Sequence, residues 1–217
     1  MQRREVDRRG FLKLSGTGLA GVALLATVGA GDVLAREETD PSLVAEIEEA
    51  AERFELPAEV LLGMAWVNTR YEHPPPETGE YEEGDLHGRG SYGIMQLVQN
   101  PSSNTLGEAS KLTGIPEEDL KTDRRSNVLG GAALLAASQG EKKPARLGDW
   151  LGAVDGRGGN GKEYRAVAGV GAGELYAEQV RAALKEGASE RTKNGERVTL
   201  RAQDLAARVT NRGEVTR

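Results

Sequence analysis

The sequence predicts an all-α domain. Apolar residues recur at helical spacing through most of the chain after residue 40, and prolines or capping residues stand before several of these stretches. If a leader of 35 residues is removed, 182 residues remain, which is an ordinary length for one domain with a core of its own.

The first two predicted helices are the most clearly marked. Asp40 offers an N-cap and Pro41 the first helical position, after which apolar residues recur on one face. The second helix starts at Pro57 and has almost no polar side over residues 60–67, just before Asn68. Because a helix that is apolar all round belongs in the middle of a domain, this helix is predicted to be central.

Further helices are predicted at 106–112, after Pro116, at 124–138, at 147–154 and at 173–185, where Leu175 is expected to point inward. After Gly187 the chain becomes polar and mildly basic. Asn194 and Gly195 predict a hairpin with a type I′ turn, and residues 201–209 predict one more helix. The tail, residues 188–217, is expected to be a packed appendage or a linker toward a further module.

Residues 1–35 are interpreted as an export signal. Arg8 and Arg9 are followed by Gly-Phe-Leu-Lys, an order that resembles the twin-arginine signal, and residues 14–31 carry no charge. Val33-Leu34-Ala35 suits a signal peptidase, so we expect cleavage after Ala35 and a location in the cell wall, the periplasm or outside the cell. The alternative is a retained membrane anchor. With cleavage, the membrane is a partner only during export.

Composition excludes several classes of function. The leader carries five basic and three acidic residues, so the net charge changes from −6 for the whole chain to −8 without it. Such an acidic protein has no electrostatic case for binding nucleic acid, because nucleic-acid-binding proteins normally show a basic face. There are no cysteines, and the two histidines, His73 and His87, do not stand in a metal-binding spacing. We therefore expect no metal and no cofactor.

Four segments carry a resemblance to a known family, and the segment Ser91-Tyr92-Gly93-Ile94-Met95-Gln96-Leu97 is the most specific of them. The others are residues 61–71, Asn-Val-Leu-Gly-Gly-Ala at 127–132, and Ala-Val-Asp-Gly at 153–156. Together they resemble the superfamily of lytic transglycosylases and goose-type lysozymes. The chain also looks similar to the lysozyme-like module that precedes the zinc domain in some exported N-acetylmuramoyl-L-alanine amidases.

The resemblance implies a lysozyme-like helical domain over residues 36–187, with a cleft between the second helix and the Gly93 segment. It implies binding of the N-acetylglucosamine–N-acetylmuramic acid (GlcNAc–MurNAc) glycan strand of peptidoglycan. By the same resemblance, the substrate-binding residues are Thr69, Tyr92, Gly93, Met95, Gln96 and Asp155.

The chain departs from the family at the catalytic position, where Asn68 replaces the glutamate and Thr69 the usual serine. A lytic transglycosylase uses that carboxyl group to protonate the glycosidic oxygen. Asparagine has no proton to give, and general acid catalysis contributes roughly 10² to 10⁴ in rate. The expected activity is therefore binding with weakened cleavage.

Two alternatives remain open at this point. In the first, the protein is an active lytic enzyme whose acid is Glu72, which would lie one helical turn beyond Asn68, or a carboxylate of the acidic loop at 77–85. In the second, it is a non-catalytic envelope scaffold whose residues 188–217 dock a cell-wall protein.

Simpler interpretations accompany the candidate residues. Ile94, Met95 and Leu97 are favoured as core residues, and so are Trp66 and Trp150. The histidines are expected at the surface. The acidic loop is expected to be solvated, and the glycine-rich stretch at 156–161 to be a flexible connection.

Overall fold

A computed structural model describes residues 41–83, 90–155 and 173–216, and every element below belongs to the compact unit Asp40–Arg217. The predicted leader, Asp40, Asp85, His87 and the glycine-rich stretch at 156–161 lie outside the described residues. Within the described ranges, the helices are α1 (Leu43–Phe54), α2 (Ala58–Thr69), α3 (Thr105–Thr113), α4 (Glu117–Thr122), α5 (Arg124–Gln139), α6 (Leu151–Val154) and α7 (Gly173–Glu186). Short 3₁₀ turns stand at Pro76–Thr78 and Leu147–Trp150.

The prediction of an all-α, lysozyme-like domain is wrong in its class, because the fold is mixed. The strands of the described ranges are β1 (Ser91–Tyr92), β2 (Leu97–Asn100), β3 (Ser103–Asn104), β4 (Ala188–Arg191) and β5 (Arg197–Leu200). The first three form one antiparallel sheet in the order β1-β2-β3, and β4 pairs with β5 in a second sheet. Strands of two to four residues are too short to show the apolar-polar alternation by which a strand is recognised in sequence.

The core is built around α2, as its all-round apolar sequence predicts. Val60, Leu61, Met64 and Ala65 are fully buried. This helix packs against α1 and α7. The approach of α7 is close at Gly63, where an added Cβ would lie 3.2 Å from Val180 Cγ1.

The ends of the first two helices differ from the prediction. Ser42 is the N-cap of α1, and its hydroxyl accepts a hydrogen bond from the Ala45 N–H at 3.2 Å, so the helix begins after Pro41. Helix α2 ends at Thr69 because Arg70 and Tyr71 adopt left-handed backbone conformations, with φ of 55° and 68°. Two consecutive non-glycine residues in this region are uncommon and have no clear sequence signature.

Helix α7 differs from the prediction at one position. Leu175, which was expected to point inward, is 63% exposed, while the neighbouring Tyr176 is buried. Val180 and Leu184 are buried as predicted. The prediction failed at Leu175 because hydrophobicity alone was used to choose between two adjacent apolar side chains.

The tail is a packed appendage over residues 188–216, the part of it that the structure describes. Val198 and Leu200 are buried, and the predicted helix at 201–209 is absent, since this stretch is extended and turned. Its backbone bonds to the body, with the Gln203 N–H donating to Leu184 O at 2.8 Å. The hairpin forms, but Gly195 (φ 90°) alone has a positive φ, so its turn is not the type I′ predicted from Asn194-Gly195.

An ion-pair network fastens the hairpin to the helices. Arg124, at the start of α5, donates two hydrogen bonds to the buried Glu46 carboxylate, at 2.7 and 2.9 Å, and contacts Glu196 at 3.4 Å. Glu196 also accepts a hydrogen bond from the Leu43 N–H at 2.7 Å. Hydrogen bonding to Glu46 raises the pKa of Arg124. The described helices include none that is both long and apolar enough to cross a membrane.

Candidate functional site

The end of α2 contacts the segment from β1 to β2. Both belong to the segments that carry the family resemblance. Asn68, in the last turn of α2, is partly buried, and its Nδ2 donates a hydrogen bond to the Ile94 carbonyl at 3.3 Å. The residues at this junction form the candidate site.

Tyr176 of α7 joins this junction and was missed by sequence reasoning. Its side chain is 8% exposed, and its hydroxyl is buried beside Asn68 without a hydrogen bond of good geometry. Burial raises the pKa of this hydroxyl well above its usual range, so it stays protonated. The only available signal was an aromatic residue within the α7 pattern, next to the more hydrophobic Leu175.

The turn between β1 and β2 is held from behind by Asn127 of α5. The Met95 N–H donates to Asn127 Oδ1 at 2.7 Å, while Asn127 Nδ2 donates to the Tyr92 and Leu120 carbonyls at 3.0 and 2.8 Å. Asn127 is completely buried. Gly93 has φ of 68°, and an added Cβ would lie 2.3 Å from Asn127 Nδ2, so this position excludes a side chain.

Gln96 closes the same turn with its own amide. Its Nε2 donates to the Gly93 carbonyl at 2.8 Å, and its Oε1 accepts from the Ser91 hydroxyl at 2.9 Å. Its backbone has φ of 53°, an unfavourable value for glutamine. The side chain that was predicted to hydrogen-bond a sugar therefore has both amide ends engaged in fixing the turn.

Other predicted binding residues are buried or bonded within the protein. Met95 is 2% exposed, which fits its interpretation as a core residue. Tyr92 is 6% exposed, and Lys121 Nζ lies 4.6 Å from the centre of its ring. Burial raises the pKa of Tyr92. The Thr69 hydroxyl donates to the Ala65 carbonyl of its own helix at 3.4 Å.

Asp155 ends α6 at the edge of the described residues. It is partly buried and lies against the start of α7, where an added Cβ on Gly173 would be 2.5 Å from the Asp155 carbonyl oxygen.

Glu72 does not lie one helical turn beyond Asn68, as the acid alternative requires. The helix ends at Thr69, and the Glu72 carboxylate accepts a hydrogen bond from the Lys193 N–H in the β4–β5 turn at 2.8 Å. The left-handed residues Arg70 and Tyr71 redirect the chain between Asn68 and Glu72. The side chain is thus engaged by the hairpin.

His73 was expected at the surface, but its imidazole ring is largely buried. Both of its ring nitrogens are buried, and burial, together with the charge of Arg124, lowers the pKa of the imidazole. In the same loop, Glu77, Glu80 and Glu83 are exposed, as expected for a solvated acidic run. The described residues contain no group of three or more His, Cys, Asp or Glu side chains placed to hold a metal ion.

Asn68 lines none of the following three surface depressions, which are formed by described residues. The largest, about 890 Å³, surrounds Arg124 and His73. A second, about 450 Å³, lies between the α1–α2 corner and Gly213 of the tail. The third, also about 450 Å³, lies between α2 and α7 and contains Trp66 and Arg70.

Comparison with known proteins adds no relative: no family model, no curated protein and no solved structure matches the chain. The family resemblance therefore rests on the sequence segments quoted above.

Proposed function

We propose that this chain is exported and binds the GlcNAc–MurNAc glycan strand of peptidoglycan with little cleavage. The observation that carries the proposal is the contact between Asn68 and Ile94, which joins two of the segments that resemble lytic transglycosylases. These segments lie 26 residues apart in the sequence. Their meeting at one junction is what a glycan-directed site built from them requires.

The proposed loss of cleavage follows from the chemistry of the junction. The Asn68 amide donates its N–H to a carbonyl and has no acidic proton for a glycosidic oxygen. Glu72 is bonded to the Lys193 N–H and lies beyond the end of α2. Binding energy without an acid gives retention on the polymer and slow turnover.

The test is co-sedimentation of the full chain with purified peptidoglycan sacculi, combined with analysis of the soluble products. We expect the protein in the pellet and few released muropeptides with anhydromuramic ends. Glycan strands stripped of peptide serve as a second ligand and should also bind. Absence of binding to both materials would overturn the proposal. If the wild type releases muropeptides rapidly and Glu72→Gln abolishes this release, Glu72 is the catalytic acid.

A further inference from the structure

A groove between α2 and α7 has the features of a binding site and is separate from the Asn68 junction. Its volume is about 450 Å³, and its lining includes the apolar side chains of Trp66, Val67, Ala182 and Ala183. Trp66 packs against the core but is not fully buried, unlike Trp150, which is a core residue as predicted. A partly exposed tryptophan in a groove offers a large apolar contact surface at low entropic cost.

Arg70 is positioned in this groove before any ligand arrives. Its guanidinium carbon lies 3.9 Å from the centre of the Trp66 ring, and the Tyr71 ring stands 5.4 Å from that of Trp66. Stacking restricts the rotamers of the arginine while leaving its N–H donors free for a planar acceptor such as a carboxylate. Among the described residues, no carboxylate lies within ion-pair distance of Arg70, which is exposed.

The groove also contains one acidic side chain. Glu186, at the last position of α7, lines it together with Gln179 and is exposed. Glu186 forms no ion pair with any other described residue. The groove thus combines apolar side chains with a cation and an anion, neither of which forms an ion pair within the part of the chain that the structure describes. A phosphate would be repelled by Glu186, and a sugar would find one face of Trp66 covered by Arg70.

We propose that this groove binds a short peptide that carries both a free carboxylate and a free ammonium group. Arg70 donates hydrogen bonds to the carboxylate, and the Glu186 carboxylate accepts them from the ammonium. Trp66 and the alanines of α7 contact an apolar side chain between these two groups. Given the proposed function, on which this assignment rests, the ligand is the stem peptide attached to the glycan strand. The protein then recognises glycan and peptide at two distinct places.

The experiment is isothermal titration of the full chain with three probes. The first is a GlcNAc–MurNAc disaccharide with a stem peptide that has a free ammonium and a free carboxylate, the second is the same compound acetylated on the ammonium, and the third is a peptide-free glycan oligomer. Arg70→Gln should weaken binding of the first probe about tenfold or more, because a charge-assisted hydrogen bond is lost, and should leave the third unchanged. Glu186→Gln should abolish the preference for the first probe over the second.

The matched control is Arg53→Gln. Arg53 also lies over an aromatic ring, that of Phe54 at 5.7 Å, but it is on α1 and outside the groove. Its replacement should change binding of no probe. Glutamine is tolerated at a left-handed position elsewhere in this chain, at Gln96, so Arg70→Gln is expected to fold, and thermal melting checks this. If Arg70→Gln does not fold, the preference of Glu186→Gln for the first probe over the second decides whether the groove binds the peptide.

The outcomes separate the two proposals. If the wild type binds the peptide-free glycan, but neither Arg70→Gln nor Glu186→Gln changes affinity for the first probe, the groove assignment is overturned and the glycan proposal stands. If the wild type binds the first probe in an Arg70-dependent way but does not bind the peptide-free glycan, the groove assignment stands and the glycan proposal is overturned. Absence of binding to every probe overturns both.

Discussion

Asn68 donates a hydrogen bond to the Ile94 carbonyl. This contact influences the protonation state of a carboxyl group placed at the same position. A protonated carboxyl can donate to that carbonyl, whereas an ionised one would face its negative end. The buried Tyr176 ring limits solvation of the charged form. Both effects favour the neutral acid and raise its pKa, whereas the Tyr176 hydroxyl beside it acts in the opposite direction when it donates to the ionised form.

The residue-scale prediction is that Asn68→Glu raises the release of muropeptides from sacculi by about tenfold or more, because it restores a proton donor. Because the glutamate donates its proton only while it is protonated, activity should be present below its pKa. It should fall as the pH rises through that pKa. Asn68→Gln has the same length without the acidic proton and is the control. Equal product release by both variants and the wild type would contradict this account of the site.

Gly93 and Gly114 allow the cost of a backbone conformation to be separated from the cost of a steric clash. Both have a positive φ, 68° and 74°, but an added Cβ at Gly93 meets Asn127, whereas at Gly114 it meets nothing within 4 Å. We expect Gly114→Ala to cost about 1–2 kcal/mol and Gly93→Ala about 2–5 kcal/mol of unfolding free energy, measured by chemical denaturation. Equal costs would mean that Asn127 moves away freely.

At the scale of elements, the hairpin β4–β5 is joined to the helical body on two sides. Its turn bonds Glu72 through the Lys193 N–H, and Glu196 reaches the start of α1 and Arg124. Its second strand alternates, with Val198 and Leu200 buried, Arg197 and Thr199 exposed. A hairpin so engaged is part of the core and not a mobile appendage.

We therefore expect Leu200→Ala to lower the unfolding free energy by about 2–5 kcal/mol, as for other buried leucines. Arg197→Ala, on the exposed face of the same strand, should change it by no more than about 0.5 kcal/mol. Denaturant titration of both variants measures the difference. A negligible effect of Leu200→Ala would show that the domain is stable without the packing of its tail.

At the scale of the whole molecule, the proposed export of a folded chain requires no disulfide, and the chain has no cysteine. Removal of the predicted leader leaves a net charge of −8 and no thiol that needs oxidation. Solubility, and not attraction to an anionic polymer, is what such a charge provides. Recognition of a wall polymer would then depend on local groups such as Arg70.

The corresponding prediction concerns Arg8 and Arg9. Replacement of both by lysine should leave the precursor inside the cell, because lysine keeps the charge but lacks the planar guanidinium of the twin-arginine signal. Cell fractionation and immunoblotting measure the distribution. Secretion of this variant at the normal level, in cells that lack the twin-arginine translocase, would contradict the export proposal.

The sequence by itself determined the positions of most helices and the central place of α2, because helical periodicity and all-round apolar composition are local properties of the chain. It also indicated the β4–β5 hairpin. It did not reveal the sheet β1-β2-β3, whose short strands depend on the turn that Asn127 of α5 holds.

Only the tertiary structure decided where the candidate side chains point. The left-handed residues Arg70 and Tyr71 end α2 and direct Glu72 to the Lys193 N–H, which is 121 residues away in the sequence. Tyr176 reaches Asn68, and Trp66 meets α7 in a groove, only because α2 and α7 pack together. These contacts join distant segments, and their energies depend on packing and burial that no local sequence pattern encodes.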